Sequence, residues 1–167
     1  MGYRKISLGQ MEQAVEGLQR ELAISGCTLK GYTRKIKSVA SATSLEKADS
    51  GSIILVSQAA AYEIDLPTPE VGMYFMFVLT TVHGSNSVTV AATSDGSTNT
   101  NLFVGNLVDH TSGIVQKDNK DVATFVGGTA TIGDFLKVWC VGTGTSGGDP
   151  TWYVEGRSDA NGALTIA

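Results

Sequence analysis

Two spacings of hydrophobic residues divide the chain. Over residues 7–24, Leu8, Met11, Val15, Leu18 and Leu22 recur at steps of three and four, the narrow stripe of a helix that meets another helix. Ser7 followed by Gln10 fits a capping box at the start, and Gly26 fits a stop. The pattern predicts an N-terminal amphipathic helix within residues 1–27. Gly17 costs such a helix about 1 kcal/mol against alanine, and a lone helix of this length is marginal in water. It therefore needs a partner, either its own β-body or like copies. The five stripe residues are the candidate assembly interface.

From about residue 50 the period changes from 3.6 to two. Gly51–Gln58 and Ala59–Pro67 read as the first strand pair, and Tyr62, Ile64 and Leu66 alternate with Glu63 and Asp65. That alternation predicts one buried face and one wet face. Pro67 and Pro69 end the second strand, because proline cannot donate to a ladder. Gly72 opens the most apolar stretch, residues 73–82, which reads as a central strand covered on both faces. Further strands are predicted at 87–92, 101–108, 112–117, 122–126, 132–142, 151–157 and 163–166, with turn clusters such as 94–97 and 142–149 between them. Short strands at this spacing predict a mainly β fold. The architecture expected over residues 51–167 is an antiparallel β-sandwich or jelly-roll-like barrel. No fixed-period repeat is visible.

Between the two regions, residues 28–50 form a basic arm or linker holding Lys30, Arg34, Lys35 and Lys37. Residues 32–39 alternate in part, so they fit either an edge strand or an extended arm lying on another subunit. The cations either guard an edge from unwanted pairing or face an acidic surface.

Composition sharpens the picture. The chain has 167 residues, 20 of them glycine, with 42% hydrophobic and only 17% charged residues. Soluble domains average about 25% charged. The first fifty residues hold eight Lys/Arg against five Asp/Glu, a net +3; the remainder holds four against eleven, a net −7. The acidic body should repel nucleic acid, while the N-terminal part suits either an acidic partner or the chain's own acidic body. Cys27 and Cys140 lie far apart with no C-x-x-C spacing, so they read as two small thiols and not as a zinc or redox site. No apolar run suits a signal peptide or a membrane span, and use without secretion or membrane contact is expected.

Groups capable of chemistry are thin. Asp109-His110-Thr111-Ser112 places an acid, an imidazole and hydroxyls in one run, but neighbours on a strand point to opposite faces and cannot assemble a triad. His83 sits in a turn. Glu63 and Asp65 share a strand face, whereas glycosidase carboxylates usually come from separate strands across a bound sugar. Asp118-Asn119-Lys120-Asp121 lacks the glycine and glutamate of an EF loop. The glycine run 142–148 lacks the Gly-Lys-Ser/Thr of a phosphate loop. Trp139, Trp152 and Tyr153 read as core anchors, with a sugar platform as the other option. No catalytic residue, cofactor site or metal site is expected.

The run from Leu45 to Phe77 carries Asp49-Ser50-Gly51, Gln58-Ala59-Ala60, Leu66-Pro67-Thr68-Pro69 and Gly72-Met73-Tyr74-Phe75-Met76-Phe77. In this order the four elements resemble a β-module that recurs in virion proteins of tailed bacteriophages. Trp152-Tyr153-Val154-Glu155-Gly156 is similar to that module's closing strand. The resemblance covers residues 45–157 loosely and 49–77 well, and it brings no catalytic residue.

The resemblance implies a virion structural protein, and the short chain points to capsid decoration (cement). Such a protein would be a non-enzymatic homotrimer on the outer surface of the head, bound to the major capsid protein after assembly in the host cytoplasm. Arg34, Lys35 and Lys37 would be its capsid contacts. Two rivals stand beside this expectation: a receptor- or glycan-binding module of a head or tail fibre, and an enzyme such as a glycan depolymerase.

Overall fold

Short β-branched and aromatic runs punctuated by glycine fold into twelve strands in the computed structural model, which describes residues 34–92, 103–109, 113–143 and 150–167. The strands are β1 Ile36–Val39, β2 Thr43–Ser44, β3 Ile53–Ser57, β4 Tyr62–Asp65, β5 Tyr74–Thr81 and β6 Val88–Ala91. They continue with β7 Phe103–Asp109, β8 Gly113–Lys120, β9 Val122–Phe125, β10 Phe135–Thr143, β11 Pro150–Ser158 and β12 Leu164–Ile166. A single 3-10 turn, Lys47–Asp49, separates β2 from β3. The predicted N-terminal helix lies outside the described residues.

The strands form two mixed sheets, one of seven in the order β1-β3-β5-β10-β11-β7-β8 and one of five in the order β12-β9-β6-β4-β2. The fold is mainly β, as expected, but the sheets are not antiparallel. β1, β3 and β5 pair in parallel, as do β2, β4 and β6 and also β7 and β11. The physical reason is the path of the chain. From β1 to β6 each strand lies in the sheet opposite its predecessor, so every second strand runs in the same direction. β3 and β4, the expected first pair, therefore belong to different sheets. Successive turns of this coil are unequal in length: Ile36 pairs with Ile53 and Ile53 with Met76. No sequence period betrays them.

Residues 34–50, read from sequence as part of a linker, contribute β1 and β2 to the compact unit Arg34–Ala167. Of the two options for residues 32–39, the described part Ile36–Val39 is the edge strand of the larger sheet.

Period-two patterning sets the core. On the larger sheet Ile54, Val56, Phe75, Phe77, Leu79, Leu136, Val138 and Trp152 point inward; on the smaller one Ile64, Val88, Val90, Ala123 and Phe125 do, and all belong to one hydrophobic core. Each large side chain so buried contributes about 1.5–3 kcal/mol. Polar ties cross between the sheets. The buried Gln58 amide donates to the Phe125 carbonyl at 3.0 Å. The Tyr62 hydroxyl lies 2.9 Å from the carbonyls of both Val39 and Ser57, and burial pushes that phenol's pKa up.

Candidate functional site

The sequence-predicted site residues fare differently. Leu8, Met11, Val15, Leu18 and Leu22 lie outside the described residues. Arg34, Lys35 and Lys37 are placed at the β1 edge and all face groups of their own body. Lys35 Nζ is 3.0 Å from Asp49 Oδ1 and Lys37 Nζ is 2.6 Å from Asp49 Oδ2. The Arg34 guanidinium lies 5.1 Å from the centre of the Tyr74 ring, within cation–π range. Lys35 keeps 58% of its side chain exposed and Lys37 31%, against 9% for Asp49. Burial alone would raise the Asp49 carboxyl. Hydrogen bonds from Lys37, Lys35 and the Glu46 amide outweigh it and hold the pKa at about 2. Lys47 adds an ion pair with Glu70.

The outward face of the larger sheet is where unspent chemistry gathers. Alternation turns Phe135, Lys137 and Trp139 to the side opposite Leu136, Val138 and Cys140, as the sequence predicts. On β11, Trp152 is fully buried while its neighbour Tyr153 is 41% exposed. Register then lines up cross-strand rows. Tyr74, Trp139 and Tyr153 are successive partners across β5, β10 and β11. The Trp139 and Tyr153 rings lie 6.2 Å apart between centres with planes 23° from parallel, an offset arrangement that suits two π-systems. The next row joins Met76, Lys137 and Glu155, with Lys137 and Glu155 in a loose 3.5 Å ion pair. The third joins Val78, Phe135, Arg157 and Val108.

Beside that third row opens a cleft of about 690 Å³, lined by Val108, Arg157, Asp159 and the turn Thr131–Phe135 among others. Its walls are tied together by the buried Asp134. That carboxylate accepts the Thr131 amide at 2.8 Å, the Thr131 hydroxyl at 3.1 Å and the Asp159 amide at 3.1 Å. Ile132 projects into solvent at 66% exposure. The exposed Arg157 has no hydrogen-bond or ion-pair partner among the described residues.

The other sequence candidates are dispersed. Glu63 and Asp65 do share the outward face of β4, but they take hydroxyl partners, Thr89 at 3.3 Å and Ser44 at 3.0 Å. His83 is exposed in a turn. Residues 110–112 and 144–149 are outside the described residues. Among the described residues no three His, Cys, Asp or Glu side chains cluster as a metal site would require. Sequence reasoning missed Tyr74, Arg157 and the Asp134 tie. The alternation of Tyr153, Glu155 and Arg157 on one strand face was the available signal; which strands flank β11 was not.

No protein-family model, curated protein or solved structure matches the chain.

Proposed function

We propose that this chain is a non-enzymatic capsid decoration protein of a tailed bacteriophage, bound to the outer surface of the head and reinforcing contacts between capsomers. One observation carries the reading: the residues behind the phage-module resemblance form the frame of the body. Asp49 clamps β1 through two lysines. Gly51 and Gly72 adopt φ of +84° and +91°, open to glycine at little cost. Their amides bond the Tyr74 and Cys140 carbonyls. Gln58 ties the two sheets, and Phe75 and Phe77 fill the core. In this reading the likeness is one of body and not of ligand.

In this reading the two sheets are the layers of a β-sandwich of jelly-roll character, preceded by the N-terminal helix. Leu8, Met11, Val15, Leu18 and Leu22 knit a homotrimer, the natural occupant of a threefold point on a shell. Arg34 and the exposed part of Lys35 meet acidic surface on the major capsid protein, with Lys37 more committed to Asp49. Many weak attachments sum to tight binding. Neither nucleic acid nor membrane is a partner, and the mature location is the virion surface after assembly in the host cytoplasm. Quantitative gel analysis of purified particles tests this. Decoration predicts a copy number on the scale of the shell subunit; a handful of copies per particle would refute it.

A second reading, a glycan- or receptor-binding module of a head or tail fibre, is favoured by the offset Trp139–Tyr153 pair on an exposed sheet face.

A further inference from the structure

We propose that the outward face of the larger sheet binds an acidic oligosaccharide, with one pyranose ring on Tyr153 and the carboxylate of a nearby sugar held by Arg157 in the adjoining cleft. The proposal rests on the glycan-binding reading and names its ligand class; it does not depend on the capsid reading.

Three groups along β11 carry it. Tyr153 offers an exposed aromatic surface steadied by Trp139. Sugar C–H groups carry partial positive charge, and the face of an aromatic ring is negative. Two residues on, Glu155 and Lys137 present an acceptor and donors whose mutual contact is long at 3.5 Å, with 50% and 30% of their side chains exposed. Ring hydroxyls can bond to both without breaking a tight pair. Two residues further, Arg157 presents a guanidinium at the cleft that has no partner among the described residues. Its planar fork matches a carboxylate with two parallel hydrogen bonds. Alternate residues on a strand are about 6.7 Å apart, so Tyr153 and Arg157 stand about 13 Å apart on one face. That separation is spanned by a short, extended oligosaccharide.

The cleft is prepared for this. Asp134 does not compete for Arg157, because its oxygens already accept from Thr131 and the Asp159 amide. Those bonds fix the two walls relative to each other, as binding sites on rigid elements require. Exposed Ile132 and half-buried Phe135 give apolar cover to the sugar ring carrying the carboxylate. Asp134 and Asp159 line the same cleft, two carboxylates against the one guanidinium of Arg157, so its field does not attract anions. The site therefore selects one carboxylate by geometry and does not gather polyanions by field strength. A peptide strand would instead seek a sheet edge, where main-chain groups are unpaired.

The full chain should be titrated with a panel of uronate- and sialate-containing oligosaccharides and with their carboxyl-reduced counterparts. Binding is read by isothermal calorimetry and by Trp139 fluorescence. At least one acidic glycan should bind, and its carboxyl-reduced form should bind tenfold more weakly or worse. Arg157→Gln should lose that tenfold preference while still binding the reduced form. Tyr153→Ala should lose both, and unchanged thermal midpoints should show that both variants fold. Wild-type protein that binds none of the acidic glycans overturns the proposal. Equal binding of acidic and reduced forms overturns the acidic assignment and leaves the glycan-binding reading standing. A Tyr153→Ala variant that binds as tightly as wild type removes the site from this face.

Discussion

Asp49 shows how one carboxylate can fasten an edge strand. Its folded pKa of about 2 lies below the ordinary aspartate value near 3.9. A depressed folded pKa means stability that is fully present above about pH 4 and is lost as pH falls through about 2. Because Lys35 is more than half exposed, solvent screening trims the effect to about 1–2 kcal/mol. Asp49→Asn should therefore unfold several degrees lower at pH 7, and its gap from wild type should narrow between pH 4 and pH 2. Thermal melts followed by circular dichroism at stepped pH would show this, and a gap of constant size would refute it. The alternation of Lys35, Ile36 and Lys37 was legible in the sequence. Their common partner was not, because the 3-10 turn that presents Asp49 has no strong pattern of its own.

At the scale of elements, pairing between β7 and β11 depends on a missing side chain. A Cβ at Gly105 would sit 1.8 Å from the Val154 carbonyl oxygen, a backbone atom of the neighbouring strand. At Gly156 the nearest atoms, at 2.5 and 2.8 Å, are the methyl tips of Leu107 and Leu136. Side-chain tips can swing aside and a ladder carbonyl cannot. Gly156→Ala should cost about 1–3 kcal/mol, the usual range for overpacking, and Gly105→Ala should cost more, to the point of insoluble protein. Urea unfolding midpoints would rank the two, and the reverse order would refute the argument. Nearly every strand from 51 onward was readable, because period-two alternation and proline and glycine stops are local signals. Strand direction was not readable: Tyr62–Asp65 looks the same whether it turns back on Ile53–Ser57 or crosses to the other sheet.

For the whole molecule, the proposed homotrimer rests on residues outside the described body, where helical spacing supplies the argument. Val15→Asp places a charge in the middle of the apolar stripe, and light scattering should then report smaller assemblies than wild type. An unchanged mass would remove the stripe from assembly. Of the candidate site, the facing of Phe135, Lys137 and Trp139 was legible from alternation alone. The juxtaposition of Tyr74, Trp139 and Tyr153 was not, because β5, β10 and β11 become neighbours only through non-local pairing.

The position of β10 between β5 and β11 also bears on synthesis. As the chain leaves the ribosome, β5 can settle against β3 at once, but its other flank stays bare until residues 135–143 emerge. For that interval one of the most apolar strands in the protein is a template open to any passing chain, so crowding during synthesis is the moment of greatest risk for this fold.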